Sequence, residues 1–334
     1  MNEENMTFEQ QKRREDTSLL FNGIFAAGIF GLVFIFILKY ILESLTRIPD
    51  ESLRFYLTSF LVPACRCAAV FGAFAVYSKR QGKPLRGRKA VSAPAFLPVT
   101  GALAAGAASV FALFLVQTAK DLLISDGYVI TSASSDTGTN IVQKLFFMIV
   151  PSLIYSFSYT VIFDMIVCDK LGRFNVSASV VLSAYLACVT VVSARWAPAV
   201  FAVGIIASAV YGKTLSGVRT FPVWFAGFTV ISVAECFGLP GTVYCVLCGI
   251  AAVVLTVSVF LSGGKIRRHE LRYAEEGCIL SGREVLAGLA RSSLFWIFTV
   301  LFAGFIVLVY ISDPDFTVSG VDDVCRVLKN AFIR

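Results

Sequence analysis

Residues 145–168 read LFFMIVPSLIYSFSYTVIFDMIVC, apolar and aromatic throughout, with one carboxylate, Asp164, and one proline, Pro151. A helix crosses a bilayer in roughly 20 residues at about 1.5 Å each, so this run is long enough. Two further apolar runs follow closely, 176–194 and 198–211, joined by short loops. A helix packed in a soluble core shows a polar face, and none of these three does. The stretch 141–219 is therefore read as membrane-embedded, and the rest of the chain is organised around it.

Composition points the same way. Hydrophobic residues make up 57% of the chain and charged residues 15%, with a mean hydropathy of +0.78. Ordinary globular domains carry about 25% charged residues, so this chain has too few to cover a water-facing surface. The pattern predicts an all-α, polytopic transmembrane helical bundle of about nine spans. They are 19–38, 55–77, 95–119, 145–168, 176–194, 198–211, 221–234, 242–261 and 293–311. The sixth and seventh are short, which allows a membrane-buried hairpin there. The chain divides into an N-terminal tail (1–18), the bundle (19–311) with an amphipathic loop at 263–291, and an amphipathic tail (312–334).

Basic residues set the orientation. Lys79, Arg80, Lys83, Arg86, Arg88 and Lys89 crowd the second loop, and Lys265, Arg267, Arg268, Arg272, Arg283 and Arg291 crowd the eighth. Lys12, Arg13 and Arg14 precede the first span, while Lys170, Arg173, Lys213 and Arg219 occupy the fourth and sixth loops. With alternating spans these fall on one side. The positive-inside rule then predicts a multi-pass cell-membrane protein with a cytoplasmic N-terminus and an outer C-terminus. The net charge of +7 belongs to loops near anionic lipid and implies no nucleic-acid partner. The stretch before the first span is polar and the span too long for an h-region, so a retained anchor is expected in place of a cleavable signal.

Small residues recur at four-residue spacing: Gly101, Ala105 and Ser109 in the third span, Gly204, Ser208 and Gly212 in the sixth. Such stripes let helices approach in lipid, and packing is their expected role. Residues 207–214, ASAVYGKT, come close to a P-loop. A P-loop opens a helix after a strand, whereas Gly212-Lys213-Thr214 closes a membrane helix, where the dipole has the wrong sign for phosphate.

Metal chemistry lacks ligands. The chain has nine cysteines but one histidine, His269. Cys65 and Cys67, and Cys245 and Cys248, lie in apolar runs where cysteine serves as a small hydrophobe. A structural zinc site needs four ligands and a catalytic one about three plus water, so no cofactor or metal is expected. Disulfides are not expected either, since most cysteines face lipid or the reducing cytoplasm.

The buried charges are the candidate functional residues. Arg66 falls near the middle of the second span, where an unpaired arginine costs at least about 2.5–3.5 kcal/mol. Asp164 falls about one turn from the cytoplasmic end of its span, and Glu235 at the outer end of the seventh. Two readings stand: an ion or substrate path with an Arg66–Asp164 pair across the second and fourth helices, or interfacial acids and a snorkelling arginine.

The order of features from 145 to 230 resembles the CPBP family of bacterial membrane proteins, which includes CAAX-type and bacteriocin-processing intramembrane proteases. The residues that carry the resemblance are Pro151 early in a helix, the loop Lys170-Leu-Gly-Arg173, and Leu182-Ser-Ala-Tyr185. GIIASAVYGKTLS (204–216) and Phe221-Pro-Val-Trp224 complete it. The resemblance implies an intramembrane helical bundle whose glutamates and histidines activate a metal-bound water. In this chain the glutamate pair falls near Ile154 and Tyr155 and the arginine near Tyr159. The histidine of the next motif falls near Cys188 or Val189, and the last motif around Phe225 and Thr229. None of these can serve as base or ligand, so the resemblance implies a non-catalytic relative. The expected partners are membrane lipids, another membrane protein or an apolar peptide. The alternatives are a small transporter or permease subunit, and an intramembrane protease of another mechanism. An aspartyl protease would need two membrane aspartates, and the predicted spans supply only Asp164.

Overall fold

The computed structural model describes residues 21–35, 37–38, 48–80, 96–125, 140–172, 175–191, 196–237, 246–251, 253 and 282–312. These residues are all-helical apart from short connections. In chain order the helices are α1 (Phe21–Ile35), α2 (Glu51–Arg80), α3 (Phe96–Ser125) and α4 (Ile141–Gly172). Then come α5 (Val176–Thr190), α6 (Ala197–Thr214), α7 (Gly217–Phe237), α8 (Gly282–Arg291) and α9 (Ser293–Ser312). A further helical piece occupies 246–251.

Local chemistry sets the ends of these helices. Asn140 and Gln143 form a reciprocal capping box at the start of α4, with the Gln143 N–H on Asn140 Oδ1 at 2.9 Å, which satisfies two donors that the first turn leaves open. Asn175 caps α5 through the Ala178 N–H at 2.9 Å. Leu215 ends α6 in the left-handed conformation (φ 48°), the only non-glycine residue with positive φ among those described, and α7 opens two residues later. This tight turn holds α6 and α7 as a hairpin.

Helix α4 is continuous but not uniform. Its central stretch Thr160–Cys168 is a nine-residue π-helix, after which α-geometry resumes at Asp169. Wider turns change which way side chains point, and π-segments are rare and concentrated at functional positions.

The helices pack around α6 and α7. Helix α3 lies against both, α5 against α6, and α4 against α7 and α2. Close approaches occur where glycine permits them: a Cβ on Gly204 would sit 2.9 Å from the Ala184 backbone, and one on Gly227 2.5 Å from Val203. Directions alternate along the chain. The start of α1 meets the end of α2 (Gly23 against Tyr77), and the ends of α2 and α4 meet (Lys170 over the Tyr77 ring, 4.6 Å). At the opposite end, Tyr56 of α2 contacts Phe146 of α4 at 4.9 Å, and Lys144 lies over Phe237 at the end of α7. Helices α8 and α9 meet at a 68° bend, and Ser292 at the bend donates to Asn22 Oδ1 at 2.9 Å, which places it at the end where α1 begins.

Five helices are long and apolar enough to cross a membrane, or six if the bent pair counts as one. This fits a membrane location without reaching the expected count of about nine. Helix α1 is described over fewer residues than the span at 19–38, and the eighth span, 242–261, lies mostly outside the described residues, as do the N-terminal tail, the C-terminal tail and most of 263–281. The expectation of a short sixth and seventh span is corrected: α6 has 18 residues and α7 has 21. The short helix is the fifth, α5, with 15 residues. Helix α7 extends beyond the apolar run 221–234 at both ends, because Gly217, Arg219 and Glu235 also belong to it.

Candidate functional site

Two polar clusters interrupt the apolar interior, joined by a column of aromatic rings. The inner one is Asp164, which is fully buried (0% exposed). Its Oδ1 accepts from the Ser208 hydroxyl at 3.1 Å and its Oδ2 from the Trp224 indole N–H at 2.8 Å. Thr220 is a third hydroxyl neighbour, whose own proton goes to the Gly217 carbonyl at 3.1 Å. The carboxylate therefore ties the π-segment of α4 to α6 and α7. One residue earlier, the Phe163 carbonyl accepts from Ser183 Oγ at 2.7 Å, which adds α5. Buried polar groups carry a large penalty unless hydrogen-bonded, and these donors meet it without a cation. Thr160, one turn earlier and buried, is left with its hydroxyl unpartnered.

The outer cluster gathers Arg66, Tyr155, Trp196 and Glu235. Arg66 is a charged neighbour of the Tyr155 phenol. The Tyr155 and Trp196 rings meet edge-on at 6.5 Å, and the Trp196 indole N–H donates to Glu235 Oε1 at 2.6 Å. Between the clusters run Tyr155, Phe228, Tyr159 and Trp224: Tyr155 stacks on Phe228 at 5.2 Å, and Tyr159 meets Trp224 edge-on at 5.2 Å. Tyr159 also reaches Thr190 at 3.2 Å. Each end of the column thus pairs an indole N–H with a carboxylate.

The residues that flank the α5–α6 connection, Thr190 and Trp196, lie beside Tyr159 and Tyr155. Helix α4 begins fourteen residues before Tyr155, about 20 Å along its axis, and α7 extends about 14 Å past Phe228.

The sequence candidates are redistributed accordingly. Arg66 and Asp164 do not form an ion pair; each has the other partners just named. Arg66 and Glu235 are instead both charged neighbours of Tyr155. Asp164 lies deeper than its expected place one turn from the helix end, because α4 continues through Gly172. That continuation also buries Asp169 (7% exposed), a second acid that the predicted span left out. Lys213 and Thr214 close α6, where Thr214 Oγ1 donates to the Val210 carbonyl. Among the described residues no group of three His, Cys, Asp or Glu is placed to hold a metal.

No protein-family model, curated protein or solved structure matches this chain.

Sequence reasoning missed the aromatic partners. A signal was present: an indole N–H buried in an apolar span needs an acceptor, and the chain has three tryptophans. Trp196 and Trp224 each donate to an acid on another helix, Trp196 to Glu235 on α7 and Trp224 to Asp164 on α4. Ser208, a member of the small-residue stripe of α6, carries a hydrogen bond as well.

Proposed function

We propose that this chain is a non-catalytic, multi-pass cell-membrane protein on a degenerate CPBP-like bundle, holding a membrane-resident partner. That partner is a lipid, an apolar peptide or another membrane protein, and the chain spans the membrane about nine times. The observation that carries the reading is a convergence. The positions where the resembled family would place its glutamates, arginine and histidines include Tyr155, Tyr159 and Cys188, with Phe225 and Thr229 beside Phe228. Tyr155 and Tyr159 pack on Phe228, and the Cys188 thiol lies near Tyr159. This clustering supports the reading of a degenerate site, in which phenols and apolar rings stand where the resembled family would place its base and metal ligands. Trp224, Tyr211, Phe163 and Phe228 fill the interior, each at most 2% exposed. Large side chains thus fill the interior around Asp164, which suits holding rather than passing a ligand.

The test is a metal and peptidase assay on the purified chain. Neither stoichiometric zinc nor cleavage of a membrane peptide is expected. Zinc bound at one per chain and lost in His269→Ala would overturn the reading. A second reading, a small transporter, draws on the π-helix at Asp164. Proteoliposomes separate the two, since gradient-driven solute uptake abolished by Asp164→Asn would establish transport.

A further inference from the structure

We propose that Asp164, Ser208 and Thr160 form a binding site for a monovalent metal cation such as sodium, in the interior of the bundle. The Ser208 hydroxyl and the Trp224 indole satisfy the oxygens of Asp164 as acceptors, but both donors are neutral. Among the described residues no basic side chain pairs with this carboxylate. Hydrogen bonds offset the burial of a polar group, whereas a buried charge also needs a counter-charge or a proton.

A second buried oxygen stands ready beside it. Helix α4 carries Ser152, Ser156, Thr160 and Asp164 at four-residue spacing, and all four are buried. Ser152 and Ser156 donate to the carbonyls one turn back, those of Met148 and Ser152, as hydroxyls in helices commonly do. Thr160 does not. The carbonyls behind it, of Ser156 and Phe157, are taken by its own N–H, and its buried hydroxyl has no partner. Such an orphan costs free energy, and it falls where the π-segment begins, about one turn before Asp164. The Thr160 methyl lies 3.1 Å from where a Cβ on Gly217 would stand, and the Gly217 carbonyl receives the Thr220 hydroxyl. Thr160 therefore faces the start of α7, the helix that also brings Trp224 to Asp164.

The donor set selects the ligand. Carboxylate and hydroxyl oxygens suit hard cations. One carboxylate balances one positive charge, whereas a divalent ion would leave an excess charge in the interior. The three ligands include no imidazole or thiolate, so the site is independent of zinc and of peptidase chemistry. It goes beyond the holding function proposed above and does not depend on it. A cation held there joins the π-segment of α4 to α6 through Ser208.

The test uses the full chain in neutral detergent, with equilibrium binding of radioactive sodium and thermal unfolding as readouts. Unfolding is followed in sodium chloride and in choline chloride at equal ionic strength. One sodium per chain is expected, together with a melting temperature that rises with sodium concentration, because a ligand of the folded state alone stabilises it. Asp164→Asn keeps the shape and removes the charge, and should abolish both the binding and the rise. Thr160→Val deletes one ligand and leaves the charge in place. It should weaken sodium binding roughly tenfold without lowering the melting temperature in choline, since the hydroxyl it removes has no partner there. Size exclusion checks that each variant is folded, and Thr160→Val decides the matter if Asp164→Asn is not. Four results would each overturn the site: no sodium retained, a melting temperature set by ionic strength alone, a sodium response that survives Asp164→Asn or Thr160→Val undiminished, or stability that follows pH and not sodium, as for a carboxyl neutralised by a proton. None of them touches the non-catalytic reading, which falls only to zinc or peptidase activity.

Discussion

The two oxygens of Asp164 accept hydrogen bonds from side chains on two different helices, Ser208 on α6 and Trp224 on α7. Removing one donor leaves an acceptor buried without a partner, which costs about 1–3 kcal/mol. Trp224→Phe keeps most of the ring and deletes the N–H, so it should lower the thermal stability of the detergent-purified protein by that amount. Trp224→Phe in an Asp164→Leu background should cost much less, because the acceptor is gone. The same geometry decides the relation between Arg66 and Asp164. Sequence alone made them natural partners, as a basic and an acidic residue in apolar runs. What it could not supply was rotation about the helix axes, which sends Arg66 to Tyr155 and Asp164 inward to α6 and α7. Residues farther apart than about 7–10 Å with no shared partner contribute independently, within about 0.3–0.5 kcal/mol. Arg66→Leu and Asp164→Leu should therefore add in a double-mutant cycle of unfolding free energies. A coupling above about 1 kcal/mol would mean that the two charges meet.

At the scale of elements, spans are legible where a long apolar run meets a charged loop, as at α2 and α3, whereas α4 begins four residues before the apolar run, at the Asn140 cap. The apolar pattern carried no information on the π-segment. Thr160–Cys168 contains neither glycine nor proline, and its wider turns are supported by neighbours such as Ser183, which donates to the Phe163 carbonyl. Tertiary contacts of this kind leave no periodic mark in the sequence. The small-residue stripe of α6 was legible as a packing face, but its members are not equivalent. A side chain at Gly204 would press on the backbone of Ala184 on α5 at 2.9 Å, while nothing lies within 4 Å of a Cβ at Gly212. Overpacking of a tight contact costs about 1–3 kcal/mol. Gly204→Val should therefore destabilise the purified protein by about that much or prevent its accumulation in the membrane. Gly212→Ala should be neutral or slightly stabilising, since alanine is the better helix former. Equal loss at both positions would remove the α5–α6 contact as the explanation.

For the whole molecule, the ends of the helices constrain how the chain is threaded. Helix α7 finishes beside Lys144, at the end where α2 and α4 begin. The α8–α9 bend sits beside Asn22, at the opposite end, where α1 begins and α2 and α4 finish. Phe237 and Gly282 thus lie at opposite ends of the bundle, and the apolar run 242–261 falls between them in sequence. Helix α9 then runs parallel to α1. Together with the basic residues gathered in the even-numbered loops, this threading predicts nine crossings, with residues 263–291 in the cytoplasm and the tail outside. Two cysteines test it, Cys278 in the eighth loop and Cys325 in the tail. In intact cells, variants retaining one of the two are treated with a membrane-impermeant maleimide. Cys325 should be labelled from outside, and Cys278 only after the membrane is permeabilised. The reverse pattern would invert the bundle, and labelling of both from outside would mean that α9 does not cross.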